Sequence, residues 1–344
     1  MFSVSGAKIV QRYGSIKQIF SIFVSIKTIN QHITKKMTLQ QLEYIVAVDK
    51  YRHFVRAAES CNVTQSTLSS LIQKLEAELD VTIFDRTQHP VAPTTIGEEI
   101  IAQARVILYN SSQMGELVAS HKGCSVGDIR LGTVSTIAPF ILPQMFRYMS
   151  DNHRDIHLHV EEARVETIKQ KLLRAELDIA ILPMPVADEA LLEIPIYSER
   201  YYAYVSPEDT LYNKERLVTG ELTADNIWML GESYCPNTGQ FPFCISDMTN
   251  ISIYVAGSID TLMRIVDHNG GYTIIPELQL PLIDPERRDN VRELVDPTPG
   301  REIAFVVRKD FVKERMINIL ADAIRSIIPE TMLDARLRKF AIKL

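Results

Sequence analysis

The sequence predicts a multi-domain α/β chain: a winged helix-turn-helix module, one long linker helix, and a two-lobed α/β domain. Three observations predict it. Apolar residues recur at helical spacing in three short segments between Leu39 and Leu79, with a tight turn before the third. A single apolar stripe then runs from Ile100 to Leu117. From Asp128 onward, short apolar runs alternate with helical patterns, the signature of strands joined by crossover helices.

Bulk composition narrows the class. The 344 residues suffice for about two or three domains with a sizeable core. A hydrophobic share of 46% and a charged share of 23% are those of a globular protein, and no apolar run approaches the ~18 residues of a membrane span. Four cysteines in so long a chain do not make a disulfide scaffold, and a reducing cytoplasm suits them. Residues 1–36 carry six basic side chains (Lys8, Arg12, Lys17, Lys27, Lys35, Lys36) and no acidic one. They read as a leader, disordered or not native, ahead of a start at Met37, since the apolar patch Ile19 to Ile26 is too short and interrupted for a signal peptide. Setting those six aside lowers the 37 basic residues to 31 against 43 acidic ones, which opposes indiscriminate nucleic-acid binding.

In the first module, residues 37–95, Leu42, Ile45, Val46 and Val48 mark one helix, and Phe54, Ala57, Ala58 and Cys61 a short second one. Asn62 and Val63 make the turn. Thr64 caps a third helix with Leu68, Leu71, Ile72, Leu75 and Leu79 on one face. Its other face offers Gln65, Ser66, Thr67, Ser69, Ser70, Gln73 and Lys74, short polar groups suited to base edges and phosphates; any amphipathic helix also has such a solvated face. The stretch around Arg86 and Pro90 suits a wing, with Arg86 as the expected phosphate or minor-groove contact. Thr94 and Thr95 cap the long helix of the segment 96–125, whose stripe wants a partner, and Gly123 and Gly127 mark its hinge.

The regulatory domain is expected over 126–328, with 329–344 as a C-terminal tail. Strands are predicted at Asp128 to Val134, Ile156 to Val160, Asp178 to Leu182, Tyr201 to Val205, Ile227 to Leu230, Ile251 to Val255, Tyr272 to Ile275 and Ile303 to Val307. Helices are predicted at Pro139 to Asn152, Val165 to Ala175, Ser258 to His268 and Phe311 to Ile327. Together they imply a mostly parallel sheet in two lobes, joined by crossings near Pro195 and Thr298, with a ligand cleft between them.

Cys235 and Cys244 stand apart in Tyr234-Cys-Pro-Asn-Thr-Gly-Gln-Phe-Pro-Phe-Cys244. On one continuous helix, nine residues would separate the two by about 13 Å along the axis. A disulfide needs Cα atoms within about 7 Å, so bonding requires a loop, which Pro236, Gly239 and Pro242 permit. By itself the pair is open to three readings, inert, redox-active or metal-binding, the last weakened because only two thiols cluster and His268 reads as a helix-end residue rather than a ligand. Cys61 reads as a helix-packing residue and Cys124 as a hinge residue without an indicated partner.

Leu42-Glu-Tyr, Phe54-Val-Arg-Ala-Ala, Val63-Thr-Gln-Ser-Thr-Leu-Ser, Leu75-Glu-Ala-Glu-Leu-Asp and Ile83-Phe-Asp-Arg-Thr resemble the DNA-binding module of LysR-type transcriptional regulators over residues 38–97. Ser66 departs from the family's usual proline and Leu71 from its usual polar residue. The run Val134 to Pro143, the spaced cysteines, Ser258 to Arg264, Gly271 to Pro276 and Arg301 resemble the periplasmic-binding-protein-like effector domain of the family's peroxide-sensing branch. Tyr234 and Val165 stand where that branch often has histidine and threonine.

The resemblance implies a regulator, not an enzyme, that controls oxidative-stress genes through a reversible Cys235–Cys244 disulfide. Thr136 would hold hydrogen peroxide, and Arg301 would be the cation that favours the Cys235 thiolate. The implied partners are double-stranded promoter DNA, hydrogen peroxide, RNA polymerase and a second copy of the chain in a homodimer or homotetramer. No cofactor, no metal and no membrane are expected. A regulator that binds a small metabolite between the lobes is the same-fold alternative, and a thiol peroxidase the alternative of another class.

Overall fold

A computed structural model describes residues 37–121, 127–223, 226–229, 258–311, 313–339 and 341–343. The chain forms two compact units, one up to Ser112 and one from Gln113.

The first unit contains helices α1 (Leu39–Tyr51), α2 (Phe54–Ser60) and α3 (Gln65–Leu79), the short strands β1 (Phe84–Asp85) and β2 (Ala92–Pro93), and the start of α4 (Thr95–His121). Thr38 and Gln41 form a reciprocal capping box that starts α1, and Arg52 ends it in the left-handed region. Asn62, at φ 56°, makes the turn, and the Thr64 hydroxyl accepts from Thr67 N at 3.2 Å to start α3. Leu42, Ile45, Ala57, Leu68, Ile72, Leu75, Ile83, Phe84, Ile101 and Ala104 share one core. Burying a side chain such as Ile72 contributes about 1.5–3 kcal/mol. β1 and β2 pair antiparallel as the expected wing, and Thr94 Oγ1 caps α4 by accepting from Gly97 N at 3.0 Å.

In the second unit, β3 (Gly127–Thr133) is parallel to both β4 (Ile156–Glu162) and β5 (Ile179–Pro183). The crossover helices are α5 (Ala138–Asn152) and α6 (Val165–Leu173). The chain then enters β6 (Leu191–Val205), followed by β7 (Arg216–Val218), α7 (Ile259–Asn269), β8 (Tyr272–Pro276), β9 (Val291–Val295), β10 (Gly300–Arg308), α8 (Glu314–Ile327) and α9 (Ala335–Lys339). The strand order is β4-β3-β5-β10-β6-β9-β7, with β8 also on β6.

The expected mostly parallel sheet needs correction. Parallel pairing holds among β3, β4 and β5 and between β7 and β9, whereas β10 is antiparallel to β5 and β6, and β6 to β8 and β9. The reason is that the lobes are joined by whole strands. The first part of β6 pairs with β10 in one lobe, its last residues, Tyr201 to Val205, pair with β8 in the other, and a register shift lies opposite Ile303 and Ala304. The crossings expected near Pro195 and Thr298 are therefore the middle of β6 and the start of β10.

Other predicted strands resolve differently. Ile227 makes only an isolated bridge to Tyr272, and Ile251 to Val255 lies outside the described residues. Helix α8 begins at Glu314 rather than Phe311. Gly270 ends α7, and Gly271, at φ 80°, lies so close to Asn226 that an added Cβ would sit 2.1 Å from its carbonyl oxygen.

The segment predicted as a tail folds back onto β6. Ser198 N donates to Met332 O and Asp334 N to Ile196 O, both at 2.9 Å, while Leu333 and Leu337 are buried. Asn318 on α8 clamps the Ile342 backbone, donating to its carbonyl at 2.9 Å and accepting from its amide at 2.7 Å.

Candidate functional site

Two sites take shape, one in each unit. On α3, the apolar residues Leu68, Ile72 and Leu75 turn into the core, leaving Gln65, Ser66, Thr67, Ser70, Gln73 and Lys74 exposed and Ser69 half-buried. These side chains form one continuous polar surface of a helix that a tight turn sets on α2, the geometry of a helix that enters a DNA groove. Arg86, the expected phosphate or minor-groove contact, is paired within its own unit. Its guanidinium is half-buried, donates to Glu76 Oε2 at 2.8 Å and stands 5.5 Å from the centre of the Phe54 ring. A phosphate would have to compete with Glu76 for it.

Glu76 is a residue that sequence reading missed. Its Oε1 accepts from Ile83 N at 2.8 Å and Phe84 N at 3.2 Å, so one carboxylate ties α3 to the wing backbone and to Arg86. Glu76→Ala is expected to cost the first unit about 2–3 kcal/mol, because two backbone donors and a guanidinium lose a charged acceptor together. Urea unfolding of the full chain checks this, and an unchanged midpoint would refute it.

The second site lies where the lobes join. Thr136 follows β3 at the entrance to α5, and Arg301 is the second residue of β10. The structure brings them together: Arg301 Nη1 donates to Thr136 Oγ1 at 2.7 Å and Nη2 to Thr136 O at 3.0 Å. On its other side, Arg301 Nε donates to Glu199 Oε1 at 2.8 Å, and Glu199 Oε2 accepts from Leu278 N at 3.1 Å. Arg301 and Glu199 side chains are only 5% and 0% exposed, so this is a buried, mutually neutralising pair. Arg301, the candidate cation of the sequence, is thus compensated by Glu199.

Tyr197 and Tyr201 flank Glu199 on the buried face of β6. Burial pushes both phenols above their ordinary range, Tyr197 especially; Glu199 adds to this and Arg301 opposes it, so both stay neutral at physiological pH. Beside them lies a cavity of about 550 Å³ lined by residues that include Met184, Ser198, Glu199, Arg200, Pro299 and Arg301. Cys235 and Cys244, with Tyr234, lie outside the described residues, as does Cys124. Cys61 is half-buried at the C-cap of α2 and packs against the helical core. Val165, at the threonine position of the resemblance, is the first residue of α6.

Residues 39–98 match the bacterial regulatory helix-turn-helix protein model of the lysR family, and residues 123–327 match the LysR substrate binding domain. The chain belongs to the LysR family. It is a DNA-binding transcriptional regulator, of a family of regulators and not of enzymes. This LysR-type regulator is 32% identical over 292 residues to the hydrogen peroxide-inducible genes activator of Pectobacterium carotovorum subsp. carotovorum, covering 84% of the chain and 96% of the relative. It is 31% identical over 294 residues to the DNA-binding transcriptional dual regulator OxyR of Escherichia coli K12, covering 84% and 95%. A full-length OxyR variant from Pseudomonas aeruginosa superimposes with a TM-score of 0.71 at 27% identity, over 85% of this chain and 99% of that one. No helix among the described residues is long and apolar enough to cross a membrane.

Proposed function

We propose that this regulator senses hydrogen peroxide through Cys235 and Cys244 and converts their oxidation into altered promoter contact. The observation that carries the reading is the direct pairing of Arg301 with Thr136, which places a hydroxyl and a guanidinium side by side at the lobe junction. The named relatives support it, being peroxide-inducible activators matched over nearly their whole length.

In the proposed chemistry the Cys235 thiolate attacks one peroxide oxygen, the O–O bond breaks, and hydroxide leaves and takes a proton to become water. The product is a sulfenic acid. The Cys244 thiolate then attacks that sulfur and expels a second hydroxide as the disulfide forms, so that peroxide is reduced by two electrons and the thiol pair oxidised by two. On the chain-entropy model, closing so short a loop constrains the unfolded chain by only about 2.7 kcal/mol, which suits a bond that reverses. A thiol reductant would restore the pair.

DNA contact is assigned to Gln65, Ser66, Thr67, Ser69, Ser70 and Lys74, with Arg86 engaging phosphate only by leaving Glu76. Ile107 and Met114 on α4 remain exposed in the single chain, which supports pairing of two copies along this helix, as a homodimer or as half of a homotetramer. Recruitment of RNA polymerase at the promoter completes the proposal.

The test compares the length of the DNA footprint before and after peroxide, for the parent and for Cys235→Ser. A change confined to the parent is expected, with thiol loss at Cys235 and Cys244. Equal footprints and unreacted thiols would leave a regulator whose ligand is a small metabolite in the 550 Å³ cavity. Sustained peroxide turnover with added reductant, and no operator binding, would instead favour a thiol peroxidase.

A further inference from the structure

The pairing of Thr136 with Arg301 has a second layer. Glu199 grips the arginine from the side opposite Thr136, and neither of its oxygens is idle: one takes Arg301 Nε and the other the Leu278 amide of the second lobe. Glu199 sits inward on β6 between the buried Tyr197 and Tyr201, and its carboxylate is enclosed. Its bonds to Arg301 and to the Leu278 amide fix its direction.

A guanidinium is planar, so fixing Nε fixes the directions of both terminal nitrogens. Here Nη1 is aimed at the Thr136 hydroxyl, while Nη2 is shared between the Thr136 carbonyl at 3.0 Å and Glu199 Oε1 at 2.8 Å. Arginine carries five N–H donors and no acceptor, which makes Thr136 Oγ1 an acceptor toward Arg301 and turns its own proton away from the arginine. A bound molecule at this hydroxyl would meet an O–H donor.

We propose that Glu199 is a positioning residue: acting through Arg301, it orients the Thr136 hydroxyl to donate a hydrogen bond to the oxygen of hydrogen peroxide. This rests on the peroxide reading above and deepens it. Because Glu199 neutralises Arg301, the pair works chiefly by direction, holding a donor in place before the peroxide arrives. Glu199 itself touches neither the peroxide nor the reacting sulfur in this scheme.

The experiment is a double-mutant cycle in the full-length protein, read as the rate of peroxide-dependent loss of the Cys235 thiol. The variants are Glu199→Gln, Thr136→Val and the two combined, with Thr136→Ser as the rescue that keeps a hydroxyl. Glu199→Gln should slow the parent about 10-fold and the Thr136→Val background less than about 2-fold, since no hydroxyl remains there to misdirect. Thr136→Ser should stay within about 2-fold of the parent and keep the sensitivity to Glu199→Gln.

Equal losses in the valine and threonine backgrounds overturn the proposal and leave Glu199 a residue of stability alone. A parent whose Cys235 ignores peroxide overturns the peroxide reading and this inference together, an outcome distinct from additivity in a reactive parent. Should Glu199→Gln fail to fold, Arg301→Lys takes its place. A lysine is a point charge that cannot fork between Glu199 and Thr136, so its loss of rate must also shrink in the Thr136→Val background, and an equal loss there overturns the proposal.

Discussion

Arg301→Met lowers the stability of the regulatory unit by about 3–5 kcal/mol, because it leaves the enclosed Glu199 carboxylate with the Leu278 amide and without its counter-ion. The cost is not the intrinsic strength of the pair. It is chiefly the penalty for burying an uncompensated charge, and the two are separable. In Arg301→Met/Glu199→Leu both charges disappear and apolar atoms fill similar volume, so most of the loss should be recovered. Guanidinium unfolding of the parent, both single variants and the double variant gives the cycle. A double variant as unstable as Arg301→Met would show that the arginine acts mainly through contacts other than Glu199, such as Thr136 or the Tyr201 ring, 5.8 Å away.

Asp178→Asn should cost about 2–3 kcal/mol at neutral pH. Asp178 immediately precedes β5 and accepts from Arg130 N and Nε at 2.9 Å and from Nη2 at 3.0 Å, with Lys313 Nζ at 3.7 Å. Burial raises its pKa, but the bonds to Arg130, its charge and that of Lys313 outweigh burial and hold the carboxyl below the ordinary range. A depressed folded-state value means that the native protein releases this proton more readily than the unfolded chain does. Its stabilising contribution is complete above the unfolded value of about 3.9 and is lost as pH falls through the lower folded value. The gap in stability between parent and Asp178→Asn should therefore stay constant from about pH 5 upward and narrow below about pH 4. A gap that widened on acidification would contradict this assignment.

The amino-terminal helices were legible because their determinants are local. Thr64 caps α3, Asn62 takes the left-handed turn, and the apolar spacing alone tells inside from outside. The same holds for α7, bounded by Ser258 and Gly270. The first part of β6 was missed because Glu193, Pro195, Ser198, Glu199 and Arg200 read as polar loop, and only pairing with β10, a hundred residues later, makes them strand. A signal was present. Tyr197, Glu199 and Tyr201 alternate with Ser198 and Arg200, a period of two that sets one glutamate on the buried face. Thr136 and Arg301 could be named from the resemblance, but their compensation by Glu199 is a long-range fact. Glu76 escaped for a similar reason, since its partners lie in the wing rather than on its own helix.

The continuity of β6 and β10 through both lobes also bears on how this molecule is made. Neither lobe is a separate piece of chain, so a cut between them would give no half able to close its own sheet. The strands β3 to β5, once off the ribosome, must wait for β10, α8 and the strap that pins Ser198 and Ile196 from residues 332–334. The groove-reading module, contiguous near the amino terminus, can be finished far earlier. During synthesis, then, the DNA-binding unit is complete before the second unit has fully emerged.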